Sequence, residues 1–175
     1  PVILYLTLEN SIRPTIGRLI SYCKGNSYDV QKANKNEVAT ILQQSGIFTP
    51  GDLSKPEIVI MYKKNKSVTV DDIKGILEDF KKNGKECVFL VVDYLKRIKP
   101  EVQAKDIRFD LSSIADDLHS LAVDEHIPVL TAMQMNRLAI SELDQATTFE
   151  QKLQALGRIG GSNVGESIDI IQNVD

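Results

Sequence analysis

The sequence is poor in cysteine: it holds two, Cys23 and Cys87, far apart in the chain. Cys87 falls inside an apolar run that reads as a central strand, so a reduced, intracellular protein is the simpler reading than a disulfide framework. No apolar run reaches the length of a membrane span and no signal peptide is visible, so no membrane partner is expected and the expected location is the cytoplasm. Excess positive charge is missing too. Lys+Arg number 21 against 24 Asp+Glu, a net charge of −3. Any nucleic-acid contact must therefore come from a local patch rather than a globally basic surface. There is no internal repeat, no low-complexity segment and no third ligand to join His119 and His126, which read as ordinary histidines rather than a metal site. The ends lack closure. The chain opens on Pro1 straight into Val2-Ile3-Leu4-Tyr5-Leu6 and closes on Asp175 just after Ile170-Ile171-Gln172-Asn173-Val174. A sheet cut at both edges leaves unpaired strands, so the expectation is a fragment of a longer protein. A phosphate cradle is also lacking: no stretch reads Gly-x-x-x-x-Gly-Lys-Ser/Thr. Gly84-Lys85 has neither the first Gly at the right distance nor the hydroxyl, and Gly157-Arg158-Ile159-Gly160-Gly161-Ser162 has no Lys.

What is present describes one soluble domain. The chain has 175 residues, 42% hydrophobic and 26% charged, enough for a single domain spanning 1–175 and too apolar for disorder. The run Cys87-Val88-Phe89-Leu90-Val91-Val92, ending on Asp93, is apolar without alternation, as in a strand buried on both faces of a parallel sheet. Val2 to Leu8 reads as another strand, ending on Glu9. Glu57 to Tyr62 is a third, and Ile127 to Met133 a fourth that ends on Gln134. Helices are expected between them. The first is capped at Asn10 or Ser11, carries Pro14 in its first turn and stops at Gly25. A second covers Asn34 to Gln44, a third runs from Thr69 or Asp71 to Gly84, and Phe109 to Glu125 forms the most amphipathic one. Lys96 to Asp106 reads as a charged loop. Leu138 to Leu156 is helical in part, and Val164 to Gln172 forms a short helix before a last strand. Strands alternating with helices predict an α/β three-layer sandwich with a mainly parallel central sheet.

Three apolar strands thus finish on polar side chains, Glu9, Asp93 and Gln134, and in a parallel sheet these tips share one edge. Ligands of such sheets bind beyond the carboxyl ends of the strands. A carboxylate such as Asp93 there can hold a nucleotide-bound Mg²⁺, Glu9 can polarise a water for attack on a γ-phosphate, and Gln134 can sense that phosphate. The bland alternative makes all three strand-end caps.

The chain resembles the RecA-type motor domain of DnaB-like hexameric replicative helicases, tailed-phage members included. Pro1 to Glu9 is similar to the family strand that carries the catalytic glutamate, and Val91-Val92-Asp93-Tyr94-Leu95 to its Walker B strand. Gln134-Met135-Asn136-Arg137 resembles the family's Gln-Leu-Asn-Arg. Ser162-Asn163-Val164-Gly165-Glu166-Ser167 resembles Ser-Asp-Leu-Arg-Glu-Ser, and Gln172 to Asp175 continues that alignment.

The resemblance implies a RecA-like P-loop NTPase core and an ATP-dependent DNA helicase, in the host cytoplasm if the protein is viral. It implies ATP and Mg²⁺ as cofactors, with Glu9 and Gln134 catalytic, Asp93, Gln134 and Arg137 at the nucleotide, and Asp93 at the metal. The expected partners are single-stranded DNA, further copies in a hexamer, a primase and a helicase loader. In this superfamily the phosphate loop precedes the strand that ends in Glu, which is where this chain begins. Two departures stand out. The family's DNA-holding arginine is Gly165 here, next to Glu166, and the following glycine is Ile168. Lys152, Arg158 and the backbone at Gly160 and Gly161 are the alternative DNA contacts. Two rival readings share the fold: a RecA-like binding or ring-assembly module that never hydrolyses nucleotide, and a recombinase or clock-type ATPase.

Overall fold

The computed structural model of the chain describes residues 1–25, 35–44, 56–133, 141 and 144–158. Four parallel strands form its sheet: β1 (Val2–Thr7), β2 (Glu57–Tyr62), β3 (Cys87–Asp93) and β4 (Val129–Thr131), in the spatial order β2-β1-β3-β4. The helices are α1 (Ile12–Lys24), α2 (Lys35–Gln44), α3 (Val70–Lys82), α4 (Ile107–Glu125) and α5 (Phe149–Arg158).

Local chemistry sets the helix limits. Ser11 occupies the N-cap of α1, and Gly25 ends that helix at φ 70°, a left-handed conformation that glycine adopts without strain. Thr69 starts α3 with a reciprocal capping box, its hydroxyl accepting the Asp72 N–H while the Asp72 carboxylate accepts the Thr69 N–H. Helix α4 begins at Ile107, two residues ahead of the expected Phe109, because the Asp106 carboxylate accepts the Arg108 N–H at 2.9 Å and caps the earlier turn.

Sheet and helices meet in one core. Leu4, Leu6, Leu90 and Val92 pack with Ile73 and Leu77 of α3 and with Leu111, Ile114, Leu118 and Leu121 of α4. The chain steps from β1 out to β2, then back past β1 to β3 and on to β4. Parallel crossovers are right-handed, so this reversal sets α1 and α2 on the sheet face opposite α3 and α4. It also makes the crevice between the ends of β1 and β3 the topological switch point, where open parallel sheets bind ligands.

Two elements differ from expectation. The Cys87–Asp93 strand is fully covered on one face only. Leu90 and Val92 are buried, whereas Phe89 and Val91 are half-buried and Val88 is exposed, since α1 packs towards β2 and α2. The strand expected over 127–133 is confined to Val129–Thr131. Pro128 has no N–H to give a ladder and contributes only its carbonyl, which accepts the Leu90 N–H at 3.1 Å. The charged loop after β3 opens with a 3₁₀ turn, Leu95–Arg97. Both cysteines are free thiols, Cys87 buried and Cys23 half-buried. The short helix and strand expected beyond residue 163 lie outside the described residues.

Candidate functional site at the carboxyl edge of the sheet

The switch point is built by the ends of two neighbouring strands. Thr7 and Asp93 are register partners, and the Leu8 N–H donates to the Asp93 carbonyl at 2.9 Å, so pairing continues one residue beyond the strand. The chain then turns sharply. The Thr7 hydroxyl, wholly buried, donates to the Asn10 carbonyl at 2.7 Å and accepts the Asn10 N–H at 3.2 Å. This closed turn presents Glu9 at the edge, its side chain 43% exposed. Asn10 is in turn bonded through its Oδ1 by Arg18 of α1.

Asp93 ends β3 on the same face as Thr7 and Tyr5, and the Tyr5 phenol donates to its Oδ2 at 3.2 Å. Burial, then the Asp93 charge and this bond, push the Tyr5 phenol above its ordinary value of 10.0, with Arg18 opposing them. Tyr5 therefore remains a donor throughout the neutral range.

Immediately after Asp93 the 3₁₀ turn carries Arg97 back over the edge. Its Nε and Nη2 both donate to Oε2 of Glu9, at 3.2 and 3.1 Å. The guanidinium lies 5.3 Å from the centre of the Tyr94 ring. Burial, the largest influence on Arg97, works against its charge, yet the bond to Glu9 and the neighbouring Tyr94 and Glu9 leave its pKa raised on balance. Tyr5 and Arg97 are not among the residues that the sequence singles out. Alternation along β1 puts Tyr5 on the face of Thr7 and could have flagged it. Nothing local flags Arg97, which meets Glu9 only because a tight turn follows β3.

Of the residues expected to act, the structure brings Glu9 and Asp93 to one edge. Gln134, Arg137, Gly160, Gly161, Gly165 and Glu166 lie outside the described residues, as do the side chain of Arg158, whose backbone ends α5, and the whole of the Ser162 motif. Among the described residues no group of three or more His, Cys, Asp or Glu side chains is gathered to hold a metal ion. Asp93 still suits Mg²⁺, which in nucleotide sites takes one or two carboxylates and completes its shell with phosphate oxygens and water. Tyr5 engages Oδ2, and among the described residues nothing is bonded to Oδ1. No helix of the described residues is long and apolar enough to cross a membrane.

A parallel sheet with its switch point between β1 and β3, helices on both faces and acidic strand tips defines a RecA-like α/β domain. The chain belongs to the DnaB-like helicase C-terminal domain family, whose pattern matches residues 2–149. Two solved structures share the fold. One is a DnaB-like replicative helicase, described with its interactions with primase: 21% identity, TM-score 0.69, covering 99% of this chain and 39% of that one. The other is the ATPase domain of a phage helicase: 20% identity, TM-score 0.68, covering 99% of this chain and 57% of that one. The chain thus spans well under two thirds of either relative. No curated protein matches. The family match ends before the Ser162 motif, so that likeness rests on its own residues.

Proposed function

We propose that this chain is part of an ATP-dependent replicative DNA helicase, a ring-forming motor that couples ATP hydrolysis to translocation on single-stranded DNA and to unwinding. The observation that carries the reading is the meeting of Glu9 and Asp93 at the switch-point edge of a DnaB-family domain.

The roles follow from chemistry. Asp93 orients Mg²⁺ through the oxygen that Tyr5 leaves unused, and the ion supplies charge neutralisation at the β- and γ-phosphates. Glu9 accepts a hydrogen bond from the attacking water and aligns it with the γ-phosphate. Gln134, an uncharged amide, hydrogen-bonds that phosphate and reports its loss, with Arg137 beside it at the nucleotide. DNA phosphates are gripped by Arg158 and by backbone N–H groups around Gly160, Gly161, Gly165 and Glu166. A hexamer of identical subunits, primase and a loader are the corresponding partners, and the cytoplasm, of the host if the protein is viral, is the corresponding compartment.

The test uses the full-length parent. Asp93→Asn and Glu9→Gln each leave the fold intact and lower DNA-stimulated ATPase by about a hundredfold or more. Parental turnover in the Glu9→Gln protein would favour the non-hydrolysing assembly module instead. The isolated 175 residues contain no Gly-x-x-x-x-Gly-Lys-Ser/Thr loop. Backbone N–H groups and the Lys of that loop supply most of the triphosphate grip, so calorimetric titration of the isolated chain with Mg·ATP is expected to show no micromolar binding.

A further inference from the structure

We propose that Arg97 is a positioning residue for Glu9: its guanidinium anchors one carboxylate oxygen and leaves the other to the attacking water. The proposal rests on the reading of Glu9 as the water-polarising group and adds to it a residue that nothing in the strand-tip pattern assigns.

The geometry argues for orientation rather than quenching. Both Arg97 donors converge on Oε2, at 3.2 and 3.1 Å, and among the described residues nothing is bonded to Oε1. A guanidinium that took both oxygens side by side would leave a base with no lone pair aimed at water. Here half of the carboxylate remains available.

Arg97 is itself fixed from behind. Its carbonyl accepts the Lys66 N–H at 2.8 Å, and its own N–H donates to the Tyr94 carbonyl at 2.9 Å. The Lys66 ammonium donates to the neighbouring Ile98 carbonyl at 2.8 Å, and Leu95 and Ile98 on either side are buried. Its guanidinium covers the buried Tyr94 ring. The anchor is a braced turn immediately downstream of Asp93, so the same peptide segment sets both carboxylates.

A purely structural role for the pair is the weaker account. Its side chains are 31% and 43% exposed, and ion pairs at such exposure add little to stability. Holding a glutamate chain in one rotamer, in contrast, is worth roughly tenfold in a rate that depends on its placement.

The experiment is a double-mutant cycle in the full-length parent, with DNA-stimulated ATPase measured at equal folded fraction for the parent, Arg97→Ala, Glu9→Gln and the double variant. Arg97→Ala is expected to lower kcat about tenfold and to change KM for ATP by less than about twofold, because it acts on the water and not on nucleotide binding. In the Glu9→Gln background the same change is expected to cost nothing further. Arg97→Lys keeps the charge but lacks the two-donor fork, so it should recover part of the loss. It also serves as the deciding variant if Arg97→Ala does not fold, in which case parental kcat for Arg97→Lys overturns the proposal. A full tenfold loss from Arg97→Ala on top of Glu9→Gln, or parental kcat in Arg97→Ala, also overturns it. If Glu9→Gln collapses activity while Arg97→Ala is neutral, Arg97 alone loses its role. If Glu9→Gln itself turns over at the parental rate, the reading of Glu9 falls and Arg97 falls with it.

Discussion

The Tyr5 phenol donates to the Asp93 carboxylate across 3.2 Å, joining the middle of one strand to the last residue of its neighbour. Tyr5 pairs with Val91 in register and Asp93 lies two residues on, so the ring lies along the sheet face towards the strand tip. The bond restrains one oxygen of the carboxylate and so determines which oxygen faces the switch point.

Tyr5→Phe removes the donor and keeps the ring. We expect a loss of about 1 kcal/mol in folding stability, the usual worth of one such bond at a half-buried site. Its pH dependence distinguishes this bond from simple packing. The folded phenol titrates above its ordinary value of 10.0, so the contribution is fully present below about pH 10 and is lost as pH rises through the folded value. Urea unfolding of both proteins at pH 7, 9 and 11 checks this. A stability gap that fails to shrink between pH 9 and 11 would show that the hydroxyl contributes nothing through Asp93.

The turn that presents Glu9 depends on Thr7, whose hydroxyl both donates to and accepts from Asn10 while being wholly buried. Thr7→Val retains the shape and strips both bonds, leaving the Asn10 N–H and carbonyl without that partner. A destabilisation of about 1–3 kcal/mol is expected. In the full-length parent, ATPase should fall further than the unfolded fraction explains, since Glu9 loses its platform. Unfolding midpoints together with specific activity per folded molecule measure the two effects separately. Equal losses in both would mean that the turn is structural only.

Much of this edge can be read from residue order alone, and the part that cannot has a clear physical origin. The apolar runs of β1 and β3 are short, bounded by turn residues and tipped with Glu9 and Asp93, so local pattern suffices to place both carboxylates. Helix α4 starts two residues before its apolar stripe suggests, because Asp106 caps ahead of that stripe. Strand β4 is shorter than its apolar run, because apolar character continues through Ile127 and Pro128, where ladder pairing does not. The contacts Tyr5–Asp93 and Glu9–Arg97 each join residues 88 positions apart. Such pairs are fixed by strand register and by a three-residue turn, neither of which leaves a local signature. The full coverage expected for β3 fails for the same reason, since the run's composition does not say which helix lies over which face.

A last prediction concerns the far side of the core, where α3 and α4 border a cleft lined by Asp71, Lys74, Glu101, Asp117 and Asp124. Lys74 reaches Asp124 at 3.9 Å, which leaves Asp117 facing unbalanced negative charge. Burial first, then the charges of Glu101, Asp116 and Asp71, raise the Asp117 carboxyl above its ordinary value of 3.8, and the Ser113 hydroxyl offsets part of this. A carboxyl raised in the folded state contributes stability that is complete below the unfolded value and lost as pH climbs through the folded one. At neutral pH the ionised Asp117 is therefore a liability. Asp117→Asn keeps an acceptor for Ser113 and removes the charge, so it should stabilise the chain at pH 7 by roughly 0.5 kcal/mol, a size suited to a half-exposed site. The gain should fade towards pH 4, where the wild-type carboxyl is already largely protonated, and should shrink at high salt as the acidic neighbours are screened. Urea midpoints for both proteins at pH 4 and pH 7, each at low and high salt, decide the matter. A gain that is equal at both pH values would trace the effect to packing of the amide, and a loss at pH 7 would show that the Asp117 charge is compensated in the cleft after all.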